Sequence, residues 1–271
     1  MSCRREELAA RPDPTPSVSV APKPPPTPPT PQRVKGDIDG RFVLSGGPYV
    51  AGEPIVVAFE LTPRAPLTVF FGGDQRNAAN YPMRFSVRAR DPSGKVVCDL
   101  VDKPPFPSFG GIGSDRTLAK GERYLERFVL NPACPALATP GTWLLELHRR
   151  LTDSGLAIPG DGGVPLSCDV VPVHEATPAW LDPKCRAKLD AVPSVTAEAM
   201  VTVVPFEPKA ARAALEARLR EVDKDEILHH RIERWVCGTL SCSCPKAGMS
   251  DADLLAAMPA SLPAGFPAAC P

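Results

Sequence analysis

The chain has 271 residues, 43% hydrophobic and 23% charged, which suits one large domain or two small ones. Its 31 Lys and Arg residues balance 31 Asp and Glu residues, which argues against a nucleic-acid partner because no global positive field exists. No apolar run reaches the roughly 18 residues that a membrane-spanning helix needs, so no transmembrane span is predicted. The 35 prolines exclude an all-helical core because proline breaks helices.

Residues 1–35 predict a disordered, proline-rich tether. Ten of the prolines lie in the first 31 positions, and Ala21–Gln32 (APKPPPTPPTPQ) is typical of polyproline II. Cys3 precedes this stretch, and an N-terminal cysteine followed by a Pro/Thr/Ser tether resembles the mature start of a bacterial lipoprotein. The resemblance makes Cys3 a candidate for lipidation and hence for a lipid anchor, although no apolar leader precedes it.

From Gly36 onward, short alternating runs separated by turn residues predict strands. The clearest is Met83–Asp91, where apolar residues alternate with arginine and serine. Other strands are predicted at Arg41–Gly47, Glu53–Leu61, Pro66–Phe71, Lys95–Val101, Arg123–Asn131, Thr142–Leu151 and Thr196–Val204. Their spacing of about ten residues indicates a β-sandwich. Residues 153–193, rich in Gly and Pro, predict an insertion with one short strand near Leu166–Val173.

Helical periodicity begins only after the last predicted strand. Lys209–Val222 places an apolar stripe on one face, and further helices are predicted at Glu226–Val236 and Asp251–Met258. The chain therefore divides into a tether (1–35), a β-sandwich (36–207, interrupted by 153–193) and a helical, cysteine-rich extension (208–271).

The stretch Phe70–Val97 (FFGGDQRNAANYPMRFSVRARDPSGKVV) resembles bacterial extracytoplasmic immunoglobulin-like domains. Members carry an FGGD-type turn, then an alternating strand that ends in a D-x-x-G-type turn. Further similar segments are Pro105–Ser114, Leu118–Glu122, Pro140–His148 and Thr196–Leu215. The resemblance covers about 36–222. It implies a mainly β fold, an immunoglobulin-like antiparallel β-sandwich, with a binding or accessory role and no catalytic residues.

Cysteine usage suggests the compartment. Cys3 stands apart, and the other eight of the nine cysteines would allow four disulfides: Cys98, Cys134, Cys168, Cys185, Cys237, Cys242, Cys244 and Cys270. This favours an extracytoplasmic location in a bacterium, in the periplasm, at the outer-membrane surface or secreted, with reduced cytosolic thiols as the alternative. A Cys98–Cys134 bridge would contribute roughly 3–4 kcal/mol, and either residue could instead pair with Cys168 or Cys185.

The main rival to disulfides is a metal site at the C-terminal end. Its ligands would be His229, His230, Cys237, Cys242 and Cys244, since zinc binds four N or S ligands. Adjacent histidines point about 100° apart on a helix, and the C-x4-C-x-C spacing differs from that of zinc knuckles, so disulfides are favoured. A Cys242–Cys244 redox pair lacks the strand-to-helix setting of thioredoxin-type sites.

Two further candidate functional residues are interpreted as having a structural role. Asp74 in FGGD is interpreted as a turn residue, and His148, flanked by Arg149 and Arg150, as a surface residue on a strand. The sequence thus predicts a non-catalytic, exported or surface-tethered binding module without a cofactor. The expected partner is a protein or a cell-envelope component, and the expected contacts are the loops 72–81, 103–117 and 153–193. The alternatives are a metal-binding or thiol-redox protein and a protease-inhibitor-like sandwich.

Overall fold

The computed structural model describes residues 32–72, 85–99, 113–151, 157–159, 165–167, 183–222, 225–241, 244, 248–263 and 266–267. Across these residues the chain is mainly antiparallel β-sheet, with most of its helices near the C-terminal end. The mainly β class predicted from the sequence is therefore confirmed. The predicted tether up to residue 31, with Cys3, lies outside the described residues.

The predicted strands and the three predicted C-terminal helices occur in the predicted order, with unpredicted shorter elements between them. The strands are β1 (Gln32–Lys35), β2 (Ile38–Leu44), β3 (Tyr49–Val50), β4 (Val56–Pro63), β5 (Leu67–Gly72), β6 (Phe85–Arg90), β7 (Val96–Asp99), β8 (Gly113–Leu118), β9 (Tyr124–Val129), β10 (Gly141–Arg150), β11 (Ala157–Pro159), β12 (Pro165–Ser167) and β13 (Ser194–Val204). The helices are a 3₁₀ helix (Pro135–Ala138), α1 (Pro183–Ala191), α2 (Pro208–Glu221), α3 (Glu226–Trp235), a π-helical turn (Val236–Ser241) and α4 (Asp251–Ala256).

Two sheets make up most of the β structure. The long sheet has the strand order β1-β13-β10-β6-β7, with β3 beside β13 as a parallel neighbour. The short sheet has the order β2-β4-β9, and all of its pairings are antiparallel. Two further antiparallel pairs, β5-β8 and β11-β12, are separate from both sheets.

The inner faces of the two sheets share one apolar core, which four phenylalanines connect. Phe42, Phe59 and Phe128 come from the short sheet and Phe85 from the long sheet. The Phe85 ring centre lies 5.6 Å from that of Phe59 and 4.2 Å from that of Phe128. The alternation predicted for β6 and β13 is confirmed, because their inward residues are buried: Phe85, Val87, Ala89, Ala197, Ala199, Val201 and Val203. The immunoglobulin-like identity of this arrangement stays a prediction.

A second apolar core joins the helical extension to the outer side of the short sheet. Val56 of β4 and Val129 of β9 pack there against buried residues of α2, α3 and α4: Leu215, Leu219, Val222, Leu228, Ile232, Trp235 and Leu254. The stripe predicted on α2 is thus buried as expected. No helix among the described residues is both long and apolar enough to cross a membrane.

Local capping explains where the C-terminal helices begin. Glu207 caps α2, whose first residue is Pro208, a residue well suited to that position. Asp225 caps α3 by accepting a hydrogen bond from the Leu228 amide at 3.0 Å. Ser250 caps α4 through a reciprocal capping box with Asp253. These polar residues break the apolar stripes into three separate helices.

The strands β3 and β8 were not predicted, and residues 113–117 of the predicted contact loop 103–117 belong to β8. Two further parts of the chain also differ from the sequence prediction. Gln32–Lys35 was assigned to the tether, but it pairs with β13, and the Gln32 side-chain amide exchanges hydrogen bonds with the Phe42 backbone. The insertion 153–193 was predicted to be irregular apart from one strand, but it contains the β11-β12 pair and α1. Gln32–Lys35 was not predicted as a strand because it follows a proline-rich stretch. The elements within 153–193 were not predicted because Gly and Pro are frequent there.

Candidate functional site

The outward surface of the long sheet carries a row of exposed apolar residues. Leu144 of β10 lies opposite Met200 of β13, and Arg90 of β6 separates Leu144 from Val96 of β7. Met200 is 72% exposed, Leu144 43% and Val96 38%. Leu144 and Met200 are thus adjacent apolar residues on neighbouring strands, and Val96 lies in the same row on the far side of Arg90. We call this surface the open face.

A second row of the open face is charged. Asp99, Arg88, Glu146 and Glu198 follow one another across β7, β6, β10 and β13. Arg88 bridges two of these carboxylates, with Nη1 3.2 Å from Glu146 and Nε 3.2 Å from Asp99. With Arg90, the two rows carry two positive and three negative side chains. The open face therefore has an apolar line beside a charged line of mixed sign.

By contrast, the helical extension covers part of the short sheet's outer side and is fixed by a buried ion pair. The Arg218 guanidinium of α2 places Nε 3.0 Å and Nη2 2.9 Å from one Glu53 oxygen. The other Glu53 oxygen accepts from the Val50 amide at 2.9 Å. Burial raises the pKa of Glu53 above its usual range, although the Val50 amide and Arg218 favour the carboxylate. Arg218 also bonds Glu221, so the guanidinium faces two carboxylates.

A close backbone approach completes this contact. Gly52 has φ +85°, its carbonyl accepts from the Trp235 indole at 2.8 Å, and its amide donates to the Ala138 carbonyl at 3.0 Å. A Cβ at this position would lie 2.7 Å from Leu240 Cδ2. Glycine is needed here for both the left-handed conformation and the space. Burial also raises the pKa of the nearby Tyr49 to about 12.

The structure separates the predicted metal ligands. Cys237 and Cys244 form a disulfide, so neither offers a thiolate. His229 lies 2.8 Å from Asp251, and His230 lies 3.3 Å from Glu233, so the two side chains face different partners. In the part of the chain that the structure describes, no three His, Cys, Asp or Glu residues are grouped to hold a metal. The remaining predicted ligand, Cys242, lies outside that part.

The other cysteines divide into three sets. Cys185 is buried and disulfide-bonded, but its partner is not among the described residues. Cys98 and Cys134 are free thiols, so the bridge predicted between them is absent from the structure. The predicted positions Cys168 and Cys270, as well as Cys3, fall outside the residues described here.

The two free thiols nevertheless lie together. A hydrogen bond with Cys98 and burial of the thiol raise the pKa of Cys134 far above its ordinary value. Cys98 Sγ lies 3.7 Å from the carbonyl oxygen of Ala133, the residue before Cys134. Cys134 is fully buried and Cys98 is half-buried at the edge of the same core. The two residues are thus close together in the structure, with their thiols not joined.

The prediction for His148 and its neighbours was wrong in part. His148 is half-buried, and burial followed by the charge of Arg150 lowers its pKa to about 4. Arg149 points into the core, where its guanidinium carbon lies 4.7 Å from the Phe85 ring centre and Nη2 lies 3.5 Å from Glu126. The strand alternation that turns Leu145 and Leu147 inward also turns Arg149 inward.

Sequence reasoning missed both the open face and the Glu53–Arg218 pair. A signal for the first existed, because Leu144 and Met200 occupy outward positions of strands whose alternation was recognised. No signal existed for the second, because Glu53 and Arg218 are 165 residues apart. The loops predicted to make contacts, including Asp74, lie largely beyond the described residues.

Comparisons with known proteins leave the family open. No protein-family model and no curated protein matches the chain. Among solved structures, it is similar to the C-terminal domain of Wzt (9% identity, TM-score 0.32, covering 68% of this chain and 84% of that one). It is also similar to the sporulation control protein Spo0M from Bacillus subtilis (8% identity, TM-score 0.28, covering 68% and 56%). At these TM-scores, neither likeness carries an argument about fold family or function.

Proposed function

We propose that this protein is a non-catalytic, exported binding module with an immunoglobulin-like β-sandwich, and that it binds a folded protein partner through the open face. The N-terminal tether, with lipid on Cys3, would hold it at a bacterial cell surface. The observation that carries the proposal is the exposed apolar row Val96, Leu144 and Met200 beside the charged row.

The chemistry of the open face favours a protein over other partners. Protein interfaces combine an apolar centre with a polar rim and bridging charges. Two positive and three negative side chains in the two rows do not suit nucleic acid or an anionic membrane, since both need a concentrated positive charge. The two rows lie on the outward side of a sheet, whereas small-molecule sites are typically concave clefts.

Two observations support the extracytoplasmic and immunoglobulin-like parts of the proposal. The Cys237–Cys244 disulfide and the bonded Cys185 favour an oxidising compartment. The two sheets face each other across one aromatic core, and their pairing is antiparallel apart from the short β3–β13 contact, as is typical of immunoglobulin-like sandwiches. The metal-binding alternative loses support because Cys237 and Cys244 are joined to each other.

Site-specific photo-crosslinking in the producing cell tests the proposal. A photoreactive amino acid replaces Met200, and a matched control replaces Leu125, which is 48% exposed on the short sheet. We expect one discrete adduct at position 200, with a partner that mass spectrometry identifies as another protein, and none at position 125. The purified partner should then bind the Met200→Glu variant roughly tenfold more weakly or worse, as for a central interface residue.

Three outcomes would contradict the proposal. Equal crosslinking from positions 200 and 125 would show that the partner does not bind the open face in preference to the short sheet. No adduct at position 200 would leave the open face without a partner. An adduct between two copies of the chain would make the open face a self-association surface.

A further inference from the structure

The free thiols Cys98 and Cys134 connect the two sheets. Cys98 lies on β7, the edge strand of the long sheet, and Cys134 directly precedes the 3₁₀ helix that follows β9 of the short sheet. Both contact the shared core, but only Cys98 is partly accessible, since Cys134 has no exposed surface. The pair therefore consists of one partly exposed cysteine and one fully buried cysteine at the edge of the sandwich.

We propose that Cys98 and Cys134 form a reversible disulfide by thiol–disulfide exchange, with the reaction entering through Cys98, and that this bond clamps the two sheets together. The proposal is independent of what the open face binds. It makes this edge of the fold a redox-responsive site, distinct from the Cys237–Cys244 bridge in the helical extension.

The exchange needs a disulfide donor, such as a small-molecule disulfide or a dithiol–disulfide oxidoreductase. Cys98 loses its proton and its sulfur attacks the donor disulfide, which forms a mixed disulfide and releases one donor thiol. The Cys134 sulfur, once deprotonated, attacks Cys98 Sγ and releases the second donor thiol. Two protein S–H bonds become one S–S bond, and the donor carries away two electrons and two protons.

The order of the two steps follows from burial. The enclosed Cys134 sulfur cannot meet a donor from solvent, and the raised pKa of its thiol keeps it protonated until Cys98 has reacted. Cys134 is therefore the resolving residue and Cys98 the entry residue. A mixed disulfide on Cys98 should accumulate before the internal bond forms.

The Cys98–Cys134 disulfide would also restrain the contact between the sheets and the helical extension. The 3₁₀ helix after Cys134 places Leu137 in the sheet core and Ala138 in the helical core. The Ala138 carbonyl accepts from Gly52, whose own carbonyl holds Trp235. A bond at Cys134 thus restrains the segment that connects both cores. We expect oxidation to slow proteolysis between β7 and the 3₁₀ helix by roughly tenfold or more.

Peptide mapping of the full chain treated with oxidised glutathione tests this inference. In the wild type we expect a mixed disulfide at Cys98 that converts into a Cys98–Cys134 linked peptide. In Cys134→Ala, the glutathione adduct at Cys98 should persist. In Cys98→Ser, Cys134 should stay unmodified in the folded protein and react only in urea.

Two results would overturn the inference. One is that both thiols of the folded wild type survive oxidised glutathione while both react in urea. The other is modification of Cys134 in folded Cys98→Ser. If Cys134→Ala fails to fold, the time course of the wild type still decides, because an adduct on Cys134 that precedes one on Cys98 contradicts the proposed order.

Discussion

The outward sides of the two sheets differ in how far the chain's own helices cover them. The short sheet packs its Val56 and Val129 against the chain's own helices, and Glu53–Arg218 fixes that contact. The long sheet leaves Leu144 and Met200 exposed. Burying an apolar residue stabilises a fold by about 1.5–3 kcal/mol. The chain forgoes this stabilisation at Leu144 and Met200, which lie opposite each other, and also at Val43 and Leu125 of the short sheet, which are not cross-strand partners. This comparison is the basis on which we propose the long sheet as the partner's binding surface.

The two sides also differ in chemistry. The contact on the short sheet uses a charge pair with little solvent access, which fixes one geometry because an unpaired buried charge is costly. The ion pairs of the open face, such as Arg88–Glu146, are only partly buried, so we expect them to contribute less to folding than Glu53–Arg218. The docking of the helices thus includes a buried charge pair, whereas the charged residues of the open face keep partial contact with solvent.

The largest effect should come from breaking the buried ion pair. Arg218→Met leaves Glu53 buried without its cation, and we expect a loss of about 3 kcal/mol in the free energy of unfolding. The matched control is Arg220→Met on the same helix, whose exposed bridge to Glu216 should be worth no more than about 0.5 kcal/mol. Urea unfolding followed by tryptophan fluorescence measures both, and equal effects would contradict the role of Glu53–Arg218.

A smaller loss is expected from Gly52→Ala, by about 2–3 kcal/mol, since the new Cβ is strained and also meets Leu240. Gly94→Ala is the control, because Gly94 has a similar φ of +83° but no atom within 4 Å of an added Cβ. It should cost only about 1 kcal/mol. Thermal unfolding of the two variants separates the cost of the steric clash from the cost of backbone strain. Equal losses of stability would show that the contact with Leu240 adds no cost at Gly52.

The lowered pKa of His148, on β10 of the long sheet, predicts that the free energy of unfolding depends on pH. Its folded-state pKa of about 4 lies below the ordinary value of 6.5, so the unfolded chain binds more protons between these pH values. Stability should therefore fall as the pH drops from 6.5 towards 4, by less than the roughly 3 kcal/mol of the full shift because His148 is only half-buried. His148→Gln should remove this part of the pH dependence. Identical pH profiles of unfolding for wild type and variant would contradict the burial of His148.

The smallest effect on folding should come from the open face itself. Met200→Glu exchanges an exposed side chain and should change the free energy of unfolding by less than about 0.5 kcal/mol. Chemical unfolding of wild type and variant checks this. A loss comparable to that of Arg218→Met would mean that Met200 serves the fold, and the contrast between the two sheets would fail.

The sequence predicted those parts of the fold that local pattern controls. Phe85, Val87 and Ala89 were turned inward because strands alternate, and Leu215 and Leu219 were placed on a helix stripe. Non-local features could not be predicted. Nothing near Glu53 in the sequence indicates a partner on α2, and the thiol state of Cys98 depends on redox conditions that sequence does not record. The open face could have been found by asking which outward strand positions carry apolar residues.

Methionine oxidation tests the central contrast most directly. Met200 is exposed on the open face and Met249 is buried in the helical core, so one protein carries both the probe and its control. Peroxide should oxidise Met200 rapidly and Met249 slowly in the purified chain. The account predicts that Met200 becomes several-fold slower to oxidise in the intact producing cell, while Met249 is unchanged relative to purified protein. Equal oxidation of Met200 in both settings would contradict a partner on the open face.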